Sequence, residues 1–202
     1  MLNTTNTMSR KEQIDQVATS LFRSRGFAAT TMRDLALELG IEAGSLYSHI
    51  KSKEDILQRV CFRMADAFVA AFEQVQNQAV PASEKLQLAV AAHVRVLTQN
   101  PEAAGVFLNE WKHLSEPTLS KFSQMRHRYE EGFREIVREG IANGEFRVTD
   151  EKFVVLTLLS SLNWLHTWYK PEGKMNPDQI ADYLSNLLLN GLLNTELHAQ
   201  NA

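Results

Sequence analysis

The 202-residue sequence predicts an all-α protein, an N-terminal three-helix unit followed by a larger helical bundle. Apolar residues recur at three- and four-residue intervals along most of the chain, all five prolines fall between such runs, and no strand-like alternation stands out. The first helix carries Ile14, Val17, Ala18, Leu21 and Phe22. Thr31 caps the second, Asp34 completes a capping-box pair three residues on, and Leu35, Ala36 and Leu39 form its apolar stripe. Gly40 ends that helix, because glycine takes the left-handed conformation without a Cβ clash. The chain then turns through Ile41 and Glu42 and restarts near Ala43.

The third helix holds itself to its neighbours with Leu46 and Ile50, four residues apart, and leaves Ala43, Gly44, Ser45, Tyr47, Ser48 and His49 on its remaining surface. This is helix-turn-helix grammar. A recognition helix reads base edges in the major groove with its N-terminal residues, so Ala43, Gly44 and Ser45 are small enough for close approach. Tyr47, His49, Lys51 and Lys53 supply donors for flanking phosphates. An ordinary helical hairpin with a solvated face is the competing reading of a bare helix-Gly-helix pattern.

The wider context favours the DNA reading. Ile14, Val17, Ala18, Leu21 and Phe22, then Arg25-Gly26-Phe27, Thr30-Thr31, Leu35-Ala36, Gly40, Gly44-Ser45-Leu46-Tyr47-Ser48-His49-Ile50 and Ser52-Lys53-Glu54 resemble the N-terminal domain of TetR-family, AcrR-like transcriptional repressors over residues 9–60. Ile50 departs from the family's usual Phe but stays apolar. Glu42 departs where a small or basic residue is common, and its carboxylate repels phosphate unless it accepts from a cytosine amino group. The expected DNA-binding set is Thr31, Arg33, Glu42, Ala43, Gly44, Ser45, Tyr47, Ser48, His49, Lys51 and Lys53.

Charge contributes little to this assignment. Residues 1–60 hold eight Lys/Arg against seven Asp/Glu, within a net charge of -3 for the chain. The motif carries the claim. A single cysteine, Cys61, excludes an internal disulfide and reads as a small buried hydrophobe suited to a reducing cytoplasm. The polar N-terminus lacks the apolar run of a signal peptide, and no apolar run is long enough to span a membrane. Metal-ligand spacing, a phosphate loop and a nucleophile with its base are all missing, so no catalytic residue, metal or cofactor is assigned.

Further along, Ser52 with Asp55 caps a fourth helix through Ile56, Val60, Met64, Ala67, Phe68, Ala71 and Val75. Leu86, Leu88, Ala89, Ala92, His93, Val96 and Leu97 mark the fifth after Pro81. Asn100-Pro101 opens a sixth carrying Val106, Phe107, Glu110 and Trp111, and a seventh runs from Thr118 to Asn143-Gly144. Residues 152–169 read as one helix, apolar on nearly every side. The last helix opens at Asn176-Pro177 with a stripe of Ile180, Tyr183, Leu184, Leu187, Leu188, Gly191 and Leu192. A monomer has difficulty covering both, which predicts a homodimer through a four-helix interface.

The aromatic side chains of the bundle serve as core or as the lining of an effector site. The ligand-binding set is Phe62, Phe68, His93, Phe107, Trp111, Met125, Tyr129, Phe133, Trp164 and Trp168. The run Ser161-Leu162-Asn163-Trp164 to Trp168-Tyr169-Lys170-Pro171 and Gly173, with Ile180-Ala181, resembles a TetR subgroup that responds to acyl-coenzyme A thioesters. That resemblance implies a small apolar effector, an acyl-CoA, with Arg126, His127 and Arg128 as candidates for its head.

The expectation is a ligand-responsive regulator that binds double-stranded operator DNA as a dimer: residues 9–54 for DNA, 55–195 for ligand and dimerisation, and flexible ends at 1–8 and 196–202. Alternatives are an activator of the same family, or a helical-bundle enzyme or interaction protein without DNA binding.

Overall fold

A computed structural model describes residues 8–147 and 150–190. Gly191, Leu192 and the 196–202 end lie outside the described residues, as do residues 1–7. Along the chain the helices are α1 (Arg10–Arg25), α2 (Met32–Glu38), α3 (Ala43–Tyr47), α4 (Lys53–Gln76), α5 (Ala82–Gln99), α6 (Pro101–Asn109), α7 (Thr118–Ala142), α8 (Glu151–Asn163), α9 (Leu165–Trp168) and α10 (Pro177–Asn190). A 3-10 turn, Trp111–His113, follows α6. The all-α expectation holds, and among the described residues no helix is long and apolar enough to cross a membrane.

Two compact units divide at Arg63 and Met64, within α4. The first takes the chain through Arg63 and also Glu102–Ser120; the second takes Met64–Pro101 and the chain from Lys121. The stretch from Glu102, which holds most of α6 and the turn after it, packs within the first unit. Its anchors are specific: Glu110 accepts the Phe27 N–H at 3.1 Å, and Glu54 accepts the Ser115 N–H at 2.7 Å.

In the first unit, α1 starts on a Ser9/Glu12 capping box and α2 on the Thr31/Asp34 box. The core is Ile14, Ala18, Leu21, Phe22, Leu35, Ala36, Leu46, Ile50, Ile56, Leu57 and Val60, all buried. Asp15 of α1, itself buried, accepts a bidentate pair of bonds from Arg59 of α4, with Nε 3.1 Å from Oδ2.

The second unit packs α10 on α5, with Arg95 and Asp178 paired at 3.0 Å. The α5 start is capped from a distance: Glu145 accepts from the N–H groups of Ala82 and Ser83 at 3.0 and 2.9 Å. Burial raises the pKa of this carboxyl, and the bonds from Ser83 and Ala82 outweigh that and lower it. Gly132 lets α7 approach α4, since a Cβ there would collide with the Phe72 ring.

The single helix expected over 152–169 is broken. The Thr167 N–H bonds to the Trp164 carbonyl, three residues back, while the Asn163 carbonyl faces His166 Nδ1. A side chain competes for the acceptor that would have continued the α ladder. In α4, Ala67 is exposed, and Leu57, Cys61, Ala65 and Phe72 join the buried face instead.

Candidate nucleic-acid interface

The turn that presents α3 is a Schellman closure. Gly40, at φ +64°, donates to the Leu37 carbonyl at 3.1 Å, and Ile41 donates to Ala36 at 3.0 Å. Leu46 is fully buried and Ile50 nearly so, which fixes the rotation of α3. Gly44, Ser45, Ser48 and His49 are consequently exposed, Ala43 is half-buried, and Tyr47 is 56% exposed. A Cβ on Gly44 would meet nothing within 4 Å, so no internal packing demands glycine there. The leading end is small and open. Such a surface admits the floor of a groove without steric resistance.

Around α3, Arg33, Glu42 and Lys51 are exposed, and Glu42 makes no side-chain capping bond to the helix it precedes. Three members of the expected set, Thr31, Ser48 and Lys53, are already engaged within the chain. The Thr31 hydroxyl lies 2.6 Å from Asp34 Oδ2 and its N–H donates to the same oxygen at 2.8 Å, so its polar groups serve the cap. Those bonds, hydroxyl first, hold the Asp34 carboxyl below its ordinary pKa. The Lys53 ammonium donates to the carbonyls of Phe27 and Thr30, both at 2.8 Å. Ser48 turns its hydroxyl to the Ser45 carbonyl at 2.7 Å.

The expected effector residues are distributed over both units. Phe62, Phe107 and Trp111 belong to the first unit; Phe68, His93, Met125, Tyr129, Phe133, Trp164 and Trp168 belong to the second. Within the second unit Phe68, His93, Tyr129 and Phe133 form one aromatic cluster, which Phe72 joins: Phe68 to His93 is 4.7 Å, Phe72 to Tyr129 5.4 Å and Tyr129 to Phe133 5.3 Å between ring centres. His93 Nδ1 lies 3.0 Å from the Tyr129 hydroxyl and Nε2 3.2 Å from Asn163 Oδ1. With an amide oxygen facing Nε2, the proton sits on Nε2 and Tyr129 donates to Nδ1. Burial holds the imidazole down to about 4, and burial pushes the Tyr129 phenol upward. Trp164 and Trp168 are outside this cluster. They are 64% and 42% exposed, together with Phe153, Leu156, Tyr183 and Leu187 on the same unit.

Sequence reasoning missed Asn163's place beside His93, because pairing three helices is a tertiary matter. It also missed Phe72 in the cluster. Among the described residues, no group of His, Cys, Asp and Glu is arranged to hold a metal.

Family comparison agrees with this architecture. The description "Bacterial regulatory proteins, tetR family" matches residues 14–60, and "Tetracyclin repressor-like, C-terminal domain" matches residues 79–192. The chain belongs to the TetR family of bacterial regulators: it is a helix-turn-helix, DNA-binding transcriptional regulator and not an enzyme. It is 29% identical over 190 residues to the HTH-type transcriptional repressor KstR2 of Mycolicibacterium smegmatis, covering 93% of each chain. The TetR-family regulator PfmR of Thermus thermophilus is similar in structure, with a TM-score of 0.80, 35% identity and coverage of 90% of this chain and 100% of that one. AibR, solved with isovaleryl coenzyme A and operator DNA, shares the fold at a TM-score of 0.78 and 23% identity, over 89% of this chain and 97% of its own.

Proposed function

We propose that this protein is a repressor that binds a palindromic operator as a homodimer and leaves it when a small apolar effector, an acyl-CoA thioester, occupies the second unit. The observation that carries the DNA half is the split of α3 and the turn that follows it: Leu46 and Ile50 buried, Gly44, Ser45, Tyr47 and His49 exposed. Arg33, Lys51 and Tyr47 are suited to phosphates, and Ala43, Gly44 and Ser45 to base edges.

Support for the effector comes from chemistry and from likeness. The second unit concentrates Phe68, Phe72, Tyr129 and Phe133 around one neutral, hydrogen-bonded imidazole, which suits an apolar chain with a single polar feature. A protein of the same fold holds isovaleryl coenzyme A together with operator DNA. The exposed apolar residues of α8 and α10 support a two-fold dimer, whose recognition helices would meet half-sites about one DNA turn, ~34 Å, apart.

Regulation is then a shift in population between dimers that fit both half-sites and dimers that do not. Helix α4, continuous from Lys53 to Gln76, runs through both units and is the natural carrier. Couplings of this kind amount to roughly 1 to 3 kcal/mol, about 5- to 150-fold in affinity. A cytoplasmic location follows from this role.

The test is selection from random duplex DNA with the purified chain, followed by titration of the recovered complex with acyl-CoA thioesters of graded length. Recovery of a palindrome supports the operator reading. Release by none of the thioesters removes the effector assignment while leaving the DNA reading in place.

A further inference from the structure

Lys53 opens α4, where an outward ammonium would meet a phosphate. Protein surrounds it instead. Its Nζ lies 2.8 Å from the carbonyl oxygens of Phe27 and Thr30, 3.4 Å from that of Ala28, and 4.4 Å from the centre of the Phe27 ring. An ammonium has three donors, and three carbonyls of one turn converge on it. The aromatic ring adds a cation–π contact.

That turn joins α1 to α2. Its last held carbonyl belongs to Thr30, directly before the Thr31/Asp34 cap on which α2 starts. Phe27 is also held from a second direction. Its N–H donates to Glu110 at 3.1 Å, its ring stacks on His113 at 5.2 Å, and Phe22 meets it edge-on at 5.1 Å. Glu110 and His113 lie on the stretch Glu102–Ser120, which packs in the first unit although the chain enters and leaves it from the second.

We infer that Lys53 is a positioning residue and not a phosphate contact: together with Glu110 it fixes the turn from Phe27 to Thr30 and so sets the pose in which α2 and α3 are offered to DNA. Both holds meet at Phe27, one on its carbonyl and ring, the other on its N–H. Loss of either leaves the core beneath α3 intact but frees the turn that aims it. The inference rests on the DNA reading of the α3 surface.

The test uses the full chain, Lys53→Met and Glu110→Met, the second of which has no oxygen left to accept the Phe27 N–H, each titrated against a duplex recovered by random-sequence selection with the wild type and against a scrambled duplex of the same composition. Affinities are measured across a range of salt, below the melting temperature of each variant, and amide exchange is followed over residues 26–31. A lost phosphate contact lowers the steepness of log affinity against log salt by about 0.9 per contact. The expected result for Lys53→Met is an unchanged salt slope, a preference for the selected duplex reduced by about tenfold, comparable to a mismatched base pair, and faster exchange over 26–31. Glu110→Met is expected to lose preference in the same way.

A role in stability alone would lower the melting temperature and leave the preference unchanged, which overturns the inference. So does a salt slope reduced by the amount of a phosphate contact. Where Lys53→Met fails to fold, Glu110→Met decides: wild-type preference in that variant overturns the inference. A wild type that enriches no duplex removes the DNA reading itself and this inference with it, an outcome distinct from an enriched duplex to which both variants bind as the wild type does.

Discussion

His93 on α5 sets its Nδ1 3.0 Å from the hydroxyl of Tyr129 on α7, and the same ring reaches Asn163 at the end of α8 with Nε2. One neutral imidazole therefore ties three helices of the second unit. Burial lowers its pKa from 6.5 to about 4, so between those values the unfolded chain binds a proton that the folded chain refuses. Stability contributed by the neutral ring is complete above the unfolded value and declines as pH falls through 6.5 towards 4. The decline amounts to about 3 kcal/mol. Denaturant midpoints from neutral pH down to 4 should fall for the wild type, and His93→Gln should lack that slope. Glu145, whose pKa is lowered from 4.5, begins to lose its own contribution as pH approaches that value from above, so the His93 comparison is read above about pH 5.

Tyr47 and Leu46 are neighbours in α3 with opposite environments, 56% and 0% exposed. Truncating the buried member removes packing, so Leu46→Ala should cost about 2 to 5 kcal/mol. Tyr47→Ala should change stability by no more than about 0.5 kcal/mol and weaken operator binding. Thermal melting beside a gel-shift titration checks both. A Tyr47→Ala protein that melts early but binds DNA normally would place the phenol in the core after all.

The parts legible in the sequence were those decided within a few residues. Thr31 with Asp34, Gly40 at the turn, and Leu46 and Ile50 inward with Tyr47 outward all follow from spacing and backbone conformation, and the structure has each of them. What could not be read depends on distant partners. Lys53 is a basic residue beside a recognition helix, and only the fold shows three carbonyls waiting 23 to 26 residues earlier in the chain. The same holds for Glu110, which lies 83 residues from the Phe27 N–H it accepts. The exposure of Trp164 is likewise set by the fold and not by its apolar neighbours in sequence. The break at Asn163 and Trp164 leaves it 64% exposed.

Gly40 and Gly44 predict opposite consequences of the same methyl group. Gly40 sits at φ +64°, so Gly40→Ala should cost about 1 kcal/mol through backbone strain. Gly44 is helical with open space where a Cβ would go, so Gly44→Ala should leave stability equal or raised by up to about 1 kcal/mol. Its added methyl lies on the surface assigned to base edges. Operator affinity should therefore fall in Gly44→Ala while the melting temperature does not. Undiminished affinity for the selected duplex would show that close approach at this position is not used.

Leu187 is 73% and Tyr183 67% exposed, one turn apart on α10, while Ile180, Ala181 and Leu189 on the same helix are buried. The helix is thus apolar on two faces, and among the described residues only one is covered. Replacing Leu187 by Arg should leave the fold of a single chain within about 0.5 kcal/mol of the wild type, because the side chain has little to lose there. In a two-fold interface the same position meets its own copy or a neighbour of it, and an unpaired guanidinium is then buried twice. Sedimentation should find the wild type dimeric at micromolar concentration and Leu187→Arg monomeric with unchanged helix content. Binding to a palindromic duplex should drop towards that of a single half-site. A variant that remains dimeric would move the interface elsewhere, and a monomeric wild type would leave the second face of α10 without its proposed partner.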